Sequence, residues 1–403
     1  MTSSIYLDMA IALLLALLSS KIIKMVHLPN VTGYLIMGLL AGPSFLNIIS
    51  LETIGNFSIV PEVALGFIAF SIGAEFKLDY FKKIGRSPII IAILEALGAT
   101  LFVVVALIAA GFDVSFSLLL GAIASATAPA ATLMVIRQYK AKGPVTDTLL
   151  PVVAIDDAIA IMVFGIALAI TKSLRMTESV SLISTLVGPV IEIVGSIGFG
   201  VLMGIVLKLF IDWFKESGNR LAISIAMVMF CIGVSKITLL SSLLTCMAMS
   251  ATYVNISKVS HKVFDQVEKI TPPLFMLFFF LSGAGLDMSL LSSVGLAGMI
   301  YIVSRVAGKV FGAGMGAHIS NAQPVVKKYL GFNLIPQAGV AIGLANIVYP
   351  ILPEYGVQIR TVILCATIIY ELIGPVTTKL ALTKAGEIQE IPVKKPLRES
   401  KVA

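Results

Sequence analysis

Residues 149–171 read LLPVVAIDDAIAIMVFGIALAIT, a stretch long enough to cross a bilayer as a single helix. Its only charged residues, Asp156 and Asp157, are adjacent and lie close to its middle. A charged side chain at the bilayer centre costs about 2.5–3.5 kcal/mol on insertion scales, so such residues persist where they face a cavity, a partner charge or a transported ion. The stretch therefore predicts a membrane-spanning helix with a functional pair of carboxylates.

The composition of the whole chain is that of a polytopic helical membrane protein. Of its 403 residues, 58% are hydrophobic and 13% are charged, whereas a soluble domain has about 25% charged residues. The net charge of +7 comes from basic residues in loops, so we expect no nucleic-acid partner. The cysteines, Cys231, Cys246 and Cys365, lie in apolar stretches without disulfide or metal-ligand spacing. No cofactor is expected.

Hydropathy and helix-breaking residues predict about thirteen membrane spans. Their approximate limits are 5–26, 31–46, 59–77, 88–111, 115–137, 147–171, 184–215, 219–235, 238–254, 272–288, 293–317, 327–350 and 357–383. Most of the 29 basic residues fall in one set of alternate loops and ends. The positive-inside rule places this set in the cytoplasm. We therefore expect an N-terminus outside and a C-terminus inside, in a bacterial-type inner membrane.

Two spans, the fifth and the twelfth, each contain a proline at a similar position. These are Pro129 and Pro336, the latter followed closely by Gly339. A proline removes a helix hydrogen bond and frees a carbonyl, so each one alone is compatible with a simple kink. Spans seven apart run in opposite directions, and inverted repeats with broken helices that meet at the midplane are typical of transporters. We predict two crossed broken helices whose freed carbonyls and half-helix ends are available to a cation.

The same offset pairs the sixth span with the thirteenth and the fourth with the eleventh. The eleventh span contains Arg305 and Lys309, and the thirteenth contains Glu371. Lys309 lies roughly two-thirds along its span, deeper than a lysine that snorkels from a helix end. We predict an ion pair between Lys309 and Asp156. A second, purely structural pair is predicted between Arg305 and Glu371.

The adjacent aspartates are suited to separate tasks. Neighbouring side chains on a helix diverge by about 100°, so one can face a cavity while the other faces a packed partner. Removal from water disfavours the charged form of a carboxylate, which brings proton exchange toward physiological pH. Competition between a proton and a cation for one carboxylate is enough for coupled exchange. A lysine that releases its proton when the cation separates it from Asp156 would make the exchange electrogenic. A purely structural ion-pair network is the alternative.

At these residues the chain resembles the cation:proton antiporter superfamily, in its second branch, which includes the bacterial electrogenic sodium/proton antiporters. The matching motifs are AIDDA at 154–158, Ala128-Pro129 and Gly308-Lys309. Weaker similarities are GYLIMGLLAGP at 33–43, FIAFSIGAEFKLDYF at 67–81 and FFFLSGAGLDM at 278–288. The resemblance implies an all-α sodium/proton antiporter fold with an inverted repeat, a homodimer in membrane lipid, and elevator-type alternating access.

The resemblance also implies roles for single residues. Asp157 would be the main site for the cation, Na⁺, and for the proton, and Asp156 would pair with Lys309. Ser125 and Thr127 would lie near the ion. The Asp-Asp form generally accompanies electrogenic exchange in this family.

The implied domain organisation has two interleaved halves. It comprises a dimerisation domain at 1–87 and 218–290, a core ion-translocation domain at 88–183 and 291–384, a linker helix at 184–217 and a flexible cytoplasmic tail at 385–403. The long linker span also fits a merely tilted helix with a cytoplasmic extension. No nucleotide-binding regulatory domain, as in glutathione-gated potassium efflux members, is expected after so short a tail.

Other functions are also compatible with parts of this pattern. A K⁺/H⁺ antiporter of the same family stays open, because the sequence does not reveal the number of oxygen ligands or the size of the cavity. A sodium-coupled organic-anion symporter shares the fold, but it does not need the proton-labile set of Asp156, Asp157 and Lys309. An intramembrane aspartyl protease needs its aspartates on separate helices, whereas these two are adjacent. The sequence therefore predicts a transporter and not an enzyme.

Overall fold

Helices make up almost all of the described chain. The computed structural model describes residues 5–26, 28–57, 59–74, 76, 85–175, 182–289 and 295–388. The helices are α1 (Ile5–Met25), α2 (Asn30–Ala41), α3 (Leu51–Asn56), α4 (Ile59–Gly73), α5 (Ser87–Ala109), α6 (Val114–Ala124), α7 (Pro129–Tyr139), α8 (Pro144–Arg175), α9 (Leu182–Trp213), α10 (Ser217–Thr238), α11 (Ser242–Ile256), α12 (Ser260–Ala284), α13 (Gly295–Ile319), α14 (Pro324–Tyr329), α15 (Gly339–Ile351) and α16 (Pro353–Lys384). A 3₁₀ turn, Gly331–Leu334, follows α14. The described ranges contain no β-strand, which confirms the predicted all-α class.

The helices correspond to the predicted spans. Nine segments in the described part of the chain are long and apolar enough to cross a membrane, with α6 and α7 together forming one of them. Shorter apolar helices are α2, α4 and α11, and the twelfth predicted span is the broken segment from α14 to α15. The end of the third predicted span, from residue 77, and part of the 67–81 motif lie outside the described residues.

One predicted boundary is wrong by a wide margin. The tenth span was expected to begin at Pro272, but α12 begins at Ser260 and continues through Pro272 and Pro273. Proline inside a helix leaves the carbonyl four residues earlier without its donor. Here those residues are Glu268 and Lys269, and both are exposed. Their carbonyls can bond to water, so the two prolines do not stop the helix.

Hydrophobic packing divides the described helices into two groups. One hydrophobic core contains residues of α1, α2, α4, α9, α10, α11 and α12. Two further cores join α5, α6, α8 and α13 to the helices around the second break. Where the groups meet, the first core also takes in the small side chains of Ala130, Ala131 and Ala154, together with Leu133. On the side of α7 and α8, the boundary between the groups therefore combines alanines with the larger side chains of Leu133, Met134 and Leu150.

Helices α5 and α13 are in backbone contact along a seam of glycines. A methyl group placed on Gly308 would lie 2.5 Å from the carbonyl oxygen of Gly98, and one on Gly312 would lie 2.4 Å from that of Leu94. Both distances are far below van der Waals contact, so only glycine fits at positions 308 and 312. Small residues spaced four apart allow membrane helices to approach in this way. The seam fixes the register of α5 against α13.

The two breaks cross and bond to each other. The first lies between α6 and α7, and the second lies between the 3₁₀ turn and α15. The backbone N–H of Ala128 donates to the carbonyl of Pro336 at 2.8 Å, and the hydroxyl of Thr132 donates to the carbonyl of Asn333 at 3.0 Å. Pro129 begins α7, a position where the missing N–H of proline removes no helix bond. Gly339 begins α15. The predicted crossing of the broken helices is therefore present.

The last described residues cap helix α8. The carboxylate of Glu387 accepts hydrogen bonds from the N–H groups of Val145 and Thr146, at 2.5 and 2.8 Å, and from the Thr146 hydroxyl at 2.6 Å. The first N–H groups of a helix have no intrahelical partner, and the helix dipole favours a negative charge there. Residues 385–388 are thus held against α8, contrary to the prediction of a flexible tail, and 389–403 lie outside the described residues.

Removal of this cap should measurably destabilise the protein. We expect Glu387→Ala to lower the free energy of unfolding by about 2 kcal/mol, because hydrogen bonds to charged groups contribute about 1.5–3 kcal/mol and Glu387 is only 6% exposed. The midpoint of thermal unfolding in detergent measures the effect. Glu52→Ala removes an exposed carboxylate from the first turn of α3 and serves as the control. Equal losses in the two variants would contradict the role of Glu387 as a cap.

Candidate functional site

The aspartate pair lies inside the protein on the long helix α8. Asp156 is fully buried and Asp157 is 3% exposed. The oxygen Oδ2 of Asp156 lies 3.4 Å from Nζ of Lys309, a distance at the limit of a hydrogen bond. Asp157 forms no hydrogen bond or ion pair with any residue in the described part of the chain. The oxygen Oδ1 of each aspartate is buried and has no hydrogen-bond partner there.

Lys309 is surrounded by oxygen atoms. Its ammonium donates to the Thr127 hydroxyl at 2.7 Å and to the carbonyl of Ser125. Its nearest carboxylate is that of Glu95 on α5, at 2.6 Å, and the side chains of both residues are fully buried. The structure therefore places Ser125, Thr127 and Glu95 around Lys309, whereas the position of Ser125 and Thr127 near the transported ion stays a prediction.

Glu95 was missed by the sequence analysis, although a signal for it was present. It is the only charged residue in α5, SPIIIAILEALGATLFVVVALIA. The same signal, charge in an otherwise apolar span, identified the two aspartates. The inverted repeat already made the fourth span, which becomes α5, the counterpart of the eleventh, which carries Lys309.

Arg305 lies one turn before Lys309 on α13 and ties the two breaks together. Its Nε donates to the carbonyl of Ala124 at 2.9 Å, Nη2 to that of Ala126 at 2.8 Å and Nη1 to that of Ile335 at 2.7 Å. The guanidinium also lies over the ring of Tyr370, 4.6 Å from its centre. The planar fork of arginine suits several acceptors at once.

The predicted ion pair between Arg305 and Glu371 is not formed. The nitrogens Nε, Nη1 and Nη2 of Arg305 each donate to a freed carbonyl. Glu371 is 5% exposed, and its Oε2 has no hydrogen-bond partner among the residues described. The physical reason is that the breaks supply carbonyl acceptors closer to Arg305 than any carboxylate.

A related prediction, that the freed carbonyls are left open for a cation, is wrong for most of the first break. Side chains of the protein donate to them instead. Besides the bonds from Arg305 and Lys309, the amide of Gln337 donates to the carbonyls of Ile123 at 3.0 Å and of Ala126 at 3.3 Å. The Ser125 hydroxyl is turned away and donates to the carbonyl of Ala122 at 2.6 Å. The oxygens left for a cation are those of the carboxylates and of Thr127.

The charges of the site do not balance. The carboxyl groups of Glu95, Asp156 and Asp157 are buried on α5 and α8 with the ammonium of Lys309 near the first two, while Arg305 is occupied by carbonyls. Burial of an unpaired charge is expensive, so surplus carboxylates must bind protons or a further cation. In the described ranges, no three His, Cys, Asp or Glu side chains converge as at a resident metal centre.

Two crossed broken helices around buried carboxylates define an integral membrane transporter of the antiporter fold. The family described as sodium/hydrogen exchanger, transmembrane, matches residues 9–384 of the sequence. The chain therefore belongs to the sodium/hydrogen exchanger family, and it is a cation/proton antiporter and not an enzyme.

Individual relatives agree with the family. The chain is 25% identical over 348 residues to a protein described as the probable Na(+)/H(+) antiporter GerT of Bacillus cereus. The aligned region covers 84% of this chain and 86% of the relative. It is similar to a structure of the sodium proton antiporter MjNhaP1 from Methanocaldococcus jannaschii at pH 8, with a TM-score of 0.69, 19% identity and coverage of 94% and 95%. An electron microscopy map of the same antiporter gives a TM-score of 0.72, 18% identity and 94% coverage of each chain. The two structures confirm the predicted fold.

Proposed function

We propose that this antiporter exchanges Na⁺, and also Li⁺, for protons, and that the cation and the proton compete for Asp157. The observation that carries the proposal is the burial of Asp157 without a hydrogen bond or ion pair in the described part of the chain. A desolvated carboxylate in that position is stable when it holds a proton or a cation. The relative from Bacillus cereus and the archaeal antiporter are both described as sodium/proton antiporters, which supports Na⁺ as the cation.

We propose further that the exchange is electrogenic, with two protons moved for each cation. Asp157 would carry one proton. The second would be carried by Asp156 and Lys309, whose carboxylate and ammonium lie 3.4 Å apart. The exchange of two protons for one monovalent cation moves one net charge across the membrane in each cycle.

Alternating access by an elevator-type movement is proposed for the core domain, 88–183 and 291–384, against the dimerisation domain, 1–87 and 218–290, with 184–217 as the linker. The separate hydrophobic cores of the two groups of helices support this division. The proposed assembly is a homodimer in a bacterial-type inner membrane, with the N-terminus outside and the C-terminus in the cytoplasm. No cofactor is proposed besides the transported ions.

Transport by the purified protein in liposomes tests the proposal. A pH gradient is imposed, Na⁺, Li⁺ or K⁺ is added in turn, and an internal dye reports pH while electrometry reports current. We expect Na⁺ and Li⁺ to dissipate the gradient and to produce a current. A response to K⁺ of equal size would widen the transported cations to include K⁺, and a response to K⁺ alone would replace the sodium assignment by a K⁺/H⁺ antiporter. Proton movement without current would overturn electrogenic exchange.

Liposomes without protein are the control for leakage. Silence with all three cations, in protein that elutes as a single folded species, would overturn the proposed function. Sodium-driven uptake of an organic anion would then identify the symporter alternative.

A further inference from the structure

The ammonium of Lys309 has two carboxylates in reach, and it lies closer to the one that the proposed exchange does not use. Its Nζ is 2.6 Å from Oε2 of Glu95 and 3.4 Å from Oδ2 of Asp156. All three side chains are fully buried. Its remaining contacts in the site are neutral, namely the Thr127 hydroxyl and the Ser125 carbonyl. The ion pair with Glu95 is therefore the shorter of the two, although neither carboxyl oxygen of Glu95 has a hydrogen bond of good geometry to a described residue.

The backbone of α5 and α13 holds this pair in place. A methyl group on Gly312 would lie 2.8 Å from Cα of Glu95, and the neighbouring contact of Gly308 with Gly98 is equally close. Helices in such contact cannot slide past each other by a residue without a collision. Glu95 and Lys309 are consequently held side by side by the fold and not only by their charges.

Asp156 has few polar contacts with the described residues. Its Oδ1 is buried and has no hydrogen-bond partner in the described part of the chain, and its Oδ2 has only the long contact with Lys309. Arg305, the nearest other cation on α13, is engaged by three carbonyls. Asp156 is thus a carboxylate that the surrounding protein leaves largely unsatisfied.

We propose that Glu95 is a positioning residue that acts as the permanent counter-ion of Lys309, and that it thereby keeps Asp156 available to the transported cation beside Asp157. The proposal rests on the proposed function of the aspartate pair. Without the charge of Glu95, Asp156 is the only carboxylate among the described residues that lies within 4 Å of Nζ of Lys309. The lysine would then bind Asp156 tightly and compete with the cation.

The first test is sodium-dependent exchange by Glu95→Gln in liposomes. We expect its KM for Na⁺ to rise about tenfold or more, the size of effect expected when one charge is removed from a buried cluster, with the maximal rate largely retained. Glu95→Asp keeps the charge but moves it away from Lys309, so its KM should rise less. A purely structural Glu95 would change the thermal midpoint and leave KM alone.

The decisive variant is the double substitution Glu95→Gln with Lys309→Gln. It removes the lysine together with its counter-ion, so Asp156 loses its competitor. Because Lys309 also takes part in proton coupling, the comparison is made on Na⁺ binding, whose apparent affinity should return to within about threefold of the wild-type value, the usual context dependence of such effects. Stabilisation by Na⁺ in detergent, measured as the shift of the thermal midpoint at fixed pH, gives a second readout that does not need transport.

The outcomes separate the two proposals. Wild-type protein that shows no Na⁺-dependent exchange would overturn the proposed function. Wild-type exchange together with an unchanged KM in Glu95→Gln, or a double variant as impaired as Glu95→Gln alone, would overturn only the assignment of Glu95.

Discussion

Asp157→Asn is expected to abolish cation-dependent proton movement while the protein still folds. The amide has nearly the shape of the carboxylate. It does not bind a proton at physiological pH, and it has no negative charge to attract a cation. Because Asp157 has no hydrogen bond or ion pair to lose within the described chain, folding should not depend on its charge. The measurement is the rate at which Na⁺ dissipates a pH gradient in liposomes, with the thermal midpoint in detergent as a check on folding.

Glu371→Gln is the matched control for this experiment. Glu371 is also a buried carboxylate on a membrane-spanning helix, and its Oε2 also has no hydrogen-bond partner in the described ranges. Within the described chain it forms no ion pair with Lys309, so its substitution should leave exchange in place. Near-normal exchange in Asp157→Asn, or equal losses in both variants, would refute the assignment of Asp157.

Arg305→Met is expected to be the most destabilising substitution among those considered. It leaves the carbonyls of Ala124, Ala126 and Ile335 without the donors that Arg305 supplies, and each buried unsatisfied acceptor costs about 1–3 kcal/mol. Gln337 also reaches the Ala126 carbonyl, at 3.3 Å, and offsets part of the loss. The sum is a large fraction of the roughly 5–15 kcal/mol that stabilises a typical protein.

The yield of monodisperse protein in size-exclusion chromatography and the thermal midpoint report this loss. Arg305→Lys should recover only a part, because one ammonium does not reproduce the fork that serves both breaks. Arg360→Met, which removes an exposed arginine from α16, should change neither quantity. An Arg305→Met variant as stable as the wild type would mean that other donors, or water, satisfy the crossing.

The sequence alone predicts those features in which a residue type is unusual for the segment that contains it. Asp156 and Asp157 are visible because charges are expensive inside an apolar span. Pro129 and Pro336 are visible because proline interrupts a helix, and their separation by seven spans indicated the inverted repeat. Glu95 carried the same signal as the aspartates and could have been found in the same way.

The partners of these residues were harder to predict. The sequence suggests Glu371 as the partner of Arg305 because a carboxylate is the acceptor of opposite charge that a sequence displays. Backbone carbonyls become candidates only when the crossing of the breaks is known. Glu387 is similar, since Gly386, with a φ of +77°, turns the chain back toward the start of α8. Such a return depends on a single backbone conformation and leaves no periodic pattern in the tail.

The glycine seam has a consequence for how this protein can diverge from its relatives. A larger residue at position 308 or 312 would push α5 and α13 apart, because the added atoms would meet the backbone of the facing helix. The separation would carry Glu95 away from Lys309. A carboxylate at position 95, a lysine at 309 and glycines at 308 and 312 should therefore be inherited as one unit. A relative that has replaced one of these glycines should have found another partner for its lysine, or have lost the lysine.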